Sequence, residues 1–431
     1  MKNNLIPDNW VRKAIEPYVY IKGRIGWRGL KKSEYTDEGP CLIANKHLKK
    51  GAIDWKNCDH LSEYRYEESP EIQLENEDII LSKDGTIGEV AIIKKLPGKA
   101  TINSTMMLLR ADKEHIISDY LFYNLQSNEF KRYIKIQTAG TSIPHLFQRD
   151  MKQYEVSIPP LVEQRGIVGV LGTVDECIRL TDAVIERAEE LKRGLMQQLL
   201  TRGIGHTEYK ETPLGKIPKT WKIKQLQDIS IITGGSTPST TNSDYWGGDI
   251  PFVTPSDITS LENENYISKT RRNITKKGLI STSSSLLDPQ TILLTSRATL
   301  GEAAINLLPV STNQGFANIK PDSNVDVLWL LYYLRSKKRE IERLASGSTF
   351  KEVSKRSIKR MNVTLPPLKE QTRISMIFQS MHEKIKSEYE KGRNLRLIKQ
   401  GIMQQLLSGK IRVELKGDGL HRIRDGREAN N

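Results

Sequence analysis

Two stretches of the chain place apolar residues at alternating steps of three and four. The first runs Ile167, Leu171, Val174, Ile178, Thr181, Ile185, Ala188, Leu191, Leu195 and Leu199. The second runs Ile374, Phe378, Met381, Ile385, then Leu395, Ile398, Ile402 and Leu406. This heptad spacing predicts long helices with a packed seam. Pro159-Pro160 and Pro366-Pro367 stop a preceding strand and open each helix, and Gly203 and Gly409 suit helix ends. Glu388 and Gly392 interrupt the second apolar series and predict a local break there. A helix over 162–200 would be about 58 Å long, too long to bury one stripe alone. Its partner is then either the other helix, the favoured reading, or its own globular domain.

Elsewhere the pattern is mixed. Runs of Ile, Val and Leu between glycine turns predict strands at 78–82, 89–95, 291–296 and 302–308. Three- and four-residue spacing predicts helices over 118–134 and 325–344. The fold class is therefore α+β: two tandem globular parts, each followed by a long helix, with the helices forming an antiparallel coiled coil of pseudo-twofold symmetry.

The chain is a tandem duplication. "SIPPLVEQ" at 157–164 faces "TLPPLKEQ" at 364–371, and "GLMQQLL" at 194–200 faces "GIMQQLL" at 401–407, both at an offset of 207. "TAGTS" (138–142) and "ASGST" (345–349) keep that offset, whereas "GTIGEVAII" and "ATLGEAAIN" differ by 213 and "IPDNW" and "IPKTW" by 211. The globular parts tolerate small insertions; the helical parts have one fixed length.

Composition adds direction. Charged residues are 27% and hydrophobic residues 37% of 431, as expected for a globular chain of two or three domains. Cys41, Cys58 and Cys177 are scattered and odd in number, which predicts no disulfide framework and a reducing compartment. With no signal-like start and no apolar run of bilayer length, the expected location is cytoplasmic, without membrane contact. The net charge of +14 fits either a polyanion partner or a merely basic surface. It is uneven: residues 1–156 carry +2 and residues 204–363 carry +7.

Catalytic signatures are missing. No GxxxxGK[ST] loop and no Asn-Pro-Pro-aromatic stretch occurs, and the seven histidines show no metal-ligand spacing, so no metal site is expected. These absences point to a binding protein. Lys22, Arg24, Arg28, Lys31 and Lys32 interleave with Trp27 and glycines, and cations of this kind neutralise phosphates or pair with guanine. Ser236, Thr237, Ser239, Thr240 and Tyr245 lie in a hydroxyl-rich loop suited to phosphate contacts. The alternative is a surface loop pinned by its aromatics. Thr141 and Ser142, matched by Ser348 and Thr349, are candidate backbone contacts, and Lys46 and Arg297 are further candidate cations.

The doubled (Ile/Leu)-Pro-Pro-Leu-x-Glu-Gln with the later Met-Gln-Gln-Leu-Leu resembles the specificity subunit of type I restriction–modification enzymes. The resemblance spans the chain: recognition domain 1–156, helical region 157–203, recognition domain 204–363, helical region 364–410, tail 411–431. It departs at His382, where the first copy has Asp175. It implies a non-catalytic subunit that binds no cofactor and reads double-stranded DNA, one half of a bipartite, asymmetric site per domain. The coil would set the spacer and dock two modification subunits, which bind S-adenosylmethionine and methylate adenine N6. Restriction subunits, using ATP and Mg, would join through that methyltransferase core. A stand-alone DNA-binding regulator with an intramolecular coil is the alternative.

Overall fold

A computed structural model describes residues 6–24, 30–139, 144–262, 264–345, 351–415 and 421–425. The chain forms two compact units. One comprises residues 1–182 and 390–431, the other residues 183–389. The unit boundaries fall inside the two long helices, so each unit holds one globular part and half of each helix.

In the first unit a four-stranded antiparallel sheet runs in the order Val19–Gly23, Met106–Ala111, Ile79–Ser82, Val90–Ile92. A three-stranded side sheet joins Asp59–Leu61, Tyr35–Ile43 and Ala100–Ile102. Val11–Ala14 pairs with Glu155–Ile158 and leads into the first long helix, Leu161–Arg202. The second unit repeats this plan. Its main sheet runs Ser230–Gly234, Phe316–Pro321, Ile292–Thr295, Ala303–Asn306, with Tyr266–Ile267 added in parallel. Its side sheet joins Arg272–Ile274, Trp246–Val253 and Ser311–Thr312. Lys222–Gln225 pairs with Asn362–Leu365, ahead of the second long helix, Leu368–Leu407.

The apolar strand runs are continuous because both faces are buried. Ile79 and Leu81 point into the main core with Met107 and Leu109, while Ile80 points the other way into a second core with Met106 and Leu108. Ile292 and Leu294 against Leu293 repeat the alternation. The expected helices over 118–134 and 325–344 each break in two. Ser127 and Lys337 adopt non-helical backbone, and the Ser127 hydroxyl caps the next helix by accepting from Phe130 N at 3.1 Å.

The long helices run antiparallel. In the first unit Asp182 meets Arg396 at 2.5 Å, Asp175 meets Lys399 at 2.6 Å and Glu163 meets Arg412 at 2.6 Å, so numbers fall along one helix as they rise along the other. In the second unit the Tyr389 hydroxyl donates to Glu189 at 2.7 Å, and Glu370 lies at the end of the first helix beside Gly203.

Most of the expected seam is inside. Ile167, Leu171, Ile185, Leu199, Ile374, Phe378, Ile385 and Leu406 are buried, and Val174, Ile178, Leu195, Met381, Leu395 and Ile402 are half-buried. Two expectations fail. Leu191 and Ile398 are 59% and 51% exposed. The strict alternation begun at Ile167 reaches Lys192, and that begun at Ile374 reaches Lys399. Both are half-buried, with the ammonium over Tyr332 at 6.0 Å and over Tyr123 at 5.2 Å respectively, so their stems cover apolar surface in the place of Leu191 and Ile398. Nor does the second helix break at Glu388 and Gly392. Both are buried on its seam, and Gly392 lies against Thr181 with room for no large side chain.

Candidate nucleic-acid interface

The doubled motif is a fastening. In the first unit Glu163 accepts from the Trp10 indole at 2.9 Å and from Arg412 at 2.6 and 2.7 Å. In the second, Glu370 accepts from the Trp221 indole at 3.0 Å, from Ile204 N at 2.9 Å and faces His206 Nε2 at 2.8 Å. Trp10 and Trp221 are the tryptophans of "IPDNW" and "IPKTW". The adjoining glutamines tie in the loop before each domain's helix. Gln164 Oε1 accepts from Ile117 N at 2.8 Å, and Gln371 Oε1 accepts from Asp326 N at 2.9 Å. Both helix ends use a glycine at positive φ, +67° at Gly203 and +70° at Gly409. A Cβ at Gly203 would stand 2.3 Å from Glu370 Oε1, and one at Gly409 2.5 Å from Pro7, so the close approach excludes any side chain as well.

The candidate contacts scatter. Lys22 points outward from Val19–Gly23 with its ammonium 5.7 Å from the Tyr20 ring. Arg24 turns inward and is buried, donating to Ile102 O, Ser69 Oγ and Thr101 Oγ1 at 3.1–3.4 Å. It braces the fold and does not face a phosphate. Burial, and then Arg65, lower its pKa. Lys31, Lys32 and Lys46 are exposed, the last paired with Asp59 at 2.7 Å. Ser236 and Thr237 are half-buried, and Thr237 donates to Gln314. Ser239 and Thr240 are exposed, while the carbonyl of Ser239 accepts from the Trp246 indole at 3.0 Å, which pins that loop. Tyr245 is half-buried, and exposed Arg297 pairs with Glu352 at 2.8 Å. Arg28, Thr141, Ser142, Ser348 and Thr349 lie outside the described residues.

A cationic cleft in the second unit was not foreseen. Lys355, Arg356, Lys359 and Arg360 line it with Gln227, Ile232, Thr233 and Gly234, and its described lining holds no carboxylate. The short helix Lys355–Lys359 buries Ile358 and leaves Lys355 and Arg356 exposed. Ser354 caps it, accepting from Ser357 N at 3.0 Å. The sequence signal was available: four cations in six residues. The equivalent helix of the first unit, Gln148–Lys152, has fewer. Its Arg149 stacks on Phe147 at 4.8 Å and its Lys152 pairs with Glu16 at 2.7 Å. The charge difference between the two globular parts thus has a location.

The position where the repeats depart is polar in both. Asp175 accepts from the Tyr123 hydroxyl at 2.9 Å and pairs with Lys399. His382 faces Glu264 at 3.3 Å, and Glu264 also holds Lys386 at 2.7 Å. Burial lowers the His382 pKa, against the raising effect of Glu264.

Two of the three cysteines are less scattered than their spacing. Cys41 and Cys58 lie 2.7 Å apart, sulfur to sulfur, with His60 beside them, contrary to the expected lack of metal-ligand groups. Burial, with Cys41 adjacent, pushes the Cys58 thiol up to about 12. No helix among the described residues is long and apolar enough to cross a membrane.

The chain matches the family described as "Type I restriction modification DNA specificity domain" twice, over 33–190 and 218–397. It is 28% identical over 422 residues to the putative type I restriction enzyme MjaX specificity subunit of Methanocaldococcus jannaschii, covering 95% of both chains. It is 41% identical over 184 residues to the MjaIX specificity subunit of that organism, a match spanning 42% of each. Among solved structures, the type I restriction–modification S subunit from M. genitalium has a TM-score of 0.56 at 17% identity, covering 94% of this chain and 98% of that one. A chain from a study of complex assembly and conformational transition of the type I R–M system gives 0.59 at 20% identity, with the same coverage, so both share the fold. Two family matches, one on each copy of a doubled fold, establish that this chain belongs to the DNA specificity subunits of type I restriction–modification systems, a non-catalytic family that recognises DNA sequence.

Proposed function

We propose that each globular part reads one half of a bipartite, asymmetric DNA site, and that the long helices set the spacer and dock two modification subunits. These would bind S-adenosylmethionine and methylate adenine N6; restriction subunits, using ATP and Mg, would attach through them. This chain binds none of those cofactors. The observation that carries the reading is the doubling itself. Strand order, indole–carboxylate fastening and helix cap recur in both units, while the surfaces beyond them differ, as Lys355–Lys359 differs from Gln148–Lys152. A shared scaffold with divergent surfaces suits two different half-sites served by identical partners.

For DNA contact, the cleft of Lys355, Arg356, Lys359 and Arg360 is the strongest phosphate-binding candidate of the second unit. For docking, Leu191 and Ile398 are equivalent in the repeat and exposed, and paired apolar positions of this kind suit a partner that binds twice. The deciding experiment maps N6-methyladenine in cells with and without the gene. A bipartite motif with a modified adenine in each half, lost on deletion, is expected. Methylation unchanged by deletion, together with site-specific binding by the chain alone, would favour a stand-alone regulator and sink the proposal.

A further inference from the structure

The side sheet of the first unit carries a group of side chains outside the candidate DNA contacts. Cys41 lies opposite His60 across the Tyr35–Ile43 and Asp59–Leu61 pair. Cys58 precedes His60 by two residues, which places both on one face of an extended chain. The three side chains therefore converge. The sulfurs of Cys41 and Cys58 are 2.7 Å apart, Cys58 Sγ is 4.0 Å from His60 Nε2, and all three ligand atoms lie within 4.8 Å of one another.

The imidazole is already oriented. His60 Nδ1 lies 2.8 Å from the carbonyl oxygen of Gly39. A carbonyl can only accept, so Nδ1 carries the proton and donates. On the neutral ring Nε2 keeps its lone pair, 4.0 Å from Cys58 Sγ. Ligating histidines are held in this way, with the far nitrogen bonded to a backbone carbonyl.

We infer that Cys41, Cys58 and His60 bind a zinc ion that staples the side sheet of the first unit. Two thiolates and one imidazole are a borderline-soft donor set that suits zinc and not magnesium or calcium. The ion takes two thiolates in exchange for two protons, so the site is electrically neutral. Two sulfurs on one tetrahedral zinc stand about 3.8 Å apart, so coordination separates the thiols by about 1 Å, within reach of side-chain rotation. Three protein ligands leave one tetrahedral position to solvent, and Cys41 opens on a cleft lined by Gly39, Pro40, Glu63, Pro97 and Lys99. A disulfide between Cys41 and Cys58 is the competing fate. It gives no role to the lone pair of His60.

The second repeat holds the corresponding strands in another way. Pro251 takes the position of Cys41 and pairs with Asn273, as Cys41 pairs with His60, while Phe252 opposite Arg272 takes the place of Leu42 opposite Asp59. Arg272 stacks on Trp246 at 3.5 Å, and Trp246 meets Phe252 edge-on at 5.3 Å. There the same two strands are held by an aromatic–cation stack. The first repeat has Leu42 and Asp59 where that stack has Phe252 and Arg272, and a metal bond one residue away would make good the difference.

The test uses the full chain purified without chelator from zinc-supplemented cells. One equivalent of zinc per chain is expected by elemental analysis. Cobalt replacing it should give thiolate charge-transfer absorption and the d–d bands of tetrahedral cobalt. In the wild-type protein, Cys41 and Cys58 should resist alkylation until a chelator is added, while exposed Cys177 reacts throughout. Cys58→Ser and His60→Ala should lose the metal and Cys177→Ser should keep it. If the variants do not fold, the wild-type alkylation pattern still decides. Substoichiometric zinc, with Cys41 and Cys58 either alkylated without chelator or joined in the unreduced peptide map, overturns the inference. The result is independent of which DNA site the chain reads.

Discussion

Glu163 and Glu370 each accept an indole hydrogen from a tryptophan about 150 residues upstream, so the start of a globular part is tied to the helix that leaves it. Trp221 is fully buried, which makes its bond to Glu370 the more costly to break. Trp221→Phe keeps the ring packing and removes one donor. We expect a loss of about 1–3 kcal/mol, the penalty for a buried acceptor left short of a partner, read as a lower urea midpoint. His382 supports a pH prediction. Burial holds its folded-state pKa below the ordinary 6.5, so the unfolded chain takes up the proton first. Its contribution is then fully present above 6.5 and is lost as pH falls through the lower folded value. The unfolding midpoint of the wild type should fall over that window, and His382→Gln should flatten the fall. An unaltered slope would show that the imidazole is not the titrating group. Neighbouring Glu264 shifts the opposite way to a raised carboxylate: its pKa is lowered by Lys386 and His382, which outweigh burial.

At the scale of elements, the seam separates two kinds of leucine and isoleucine that look alike in sequence. Ile185 is buried on it, and Leu191, six residues on, is exposed. Ile185→Ala should cost about 2–5 kcal/mol, and Leu191→Ala less than about 0.5 kcal/mol. Thermal unfolding of the two variants checks this, and equal losses would mean the seam is misassigned. The difference also marks what could be read in advance. Strand runs such as Ile79-Ile80-Leu81 were legible because uninterrupted apolarity has one physical cause, burial on both faces. Gly203 and Gly409 were legible because a helix end at positive φ demands glycine. Lys192 and Lys399 were not, because a lysine stem on an aromatic ring is apolar packing under a charged label. Arg24 failed for the same reason in reverse: a guanidinium can satisfy itself on a carbonyl and two hydroxyls inside the fold. Cys41 and His60 could not be joined from spacing, since only the strand register brings them opposite each other.

For the whole molecule, the equal length of the two helical segments is the property that the ruler reading must explain. The seam positions of both copies correspond one to one at the offset of 207, from Ile167 and Ile374 through Lys192 and Lys399 to Leu199 and Leu406. An insertion in one helix alone would shift every later seam residue against its partner. An insertion of one heptad in both, after Ile185 and after Gly392, preserves the phase of each stripe. It lengthens each helix by about 10.5 Å, at 1.5 Å per residue, which corresponds to roughly three base pairs at 3.4 Å each. With the globular parts untouched, the half-site sequences should be unchanged and the spacer between them about three base pairs longer, read from the methylated motif in cells carrying the variant. A spacer of the original length in a folded, active complex would mean that the helices do not set it. Altered half-sites would mean that the globular parts do not read them independently.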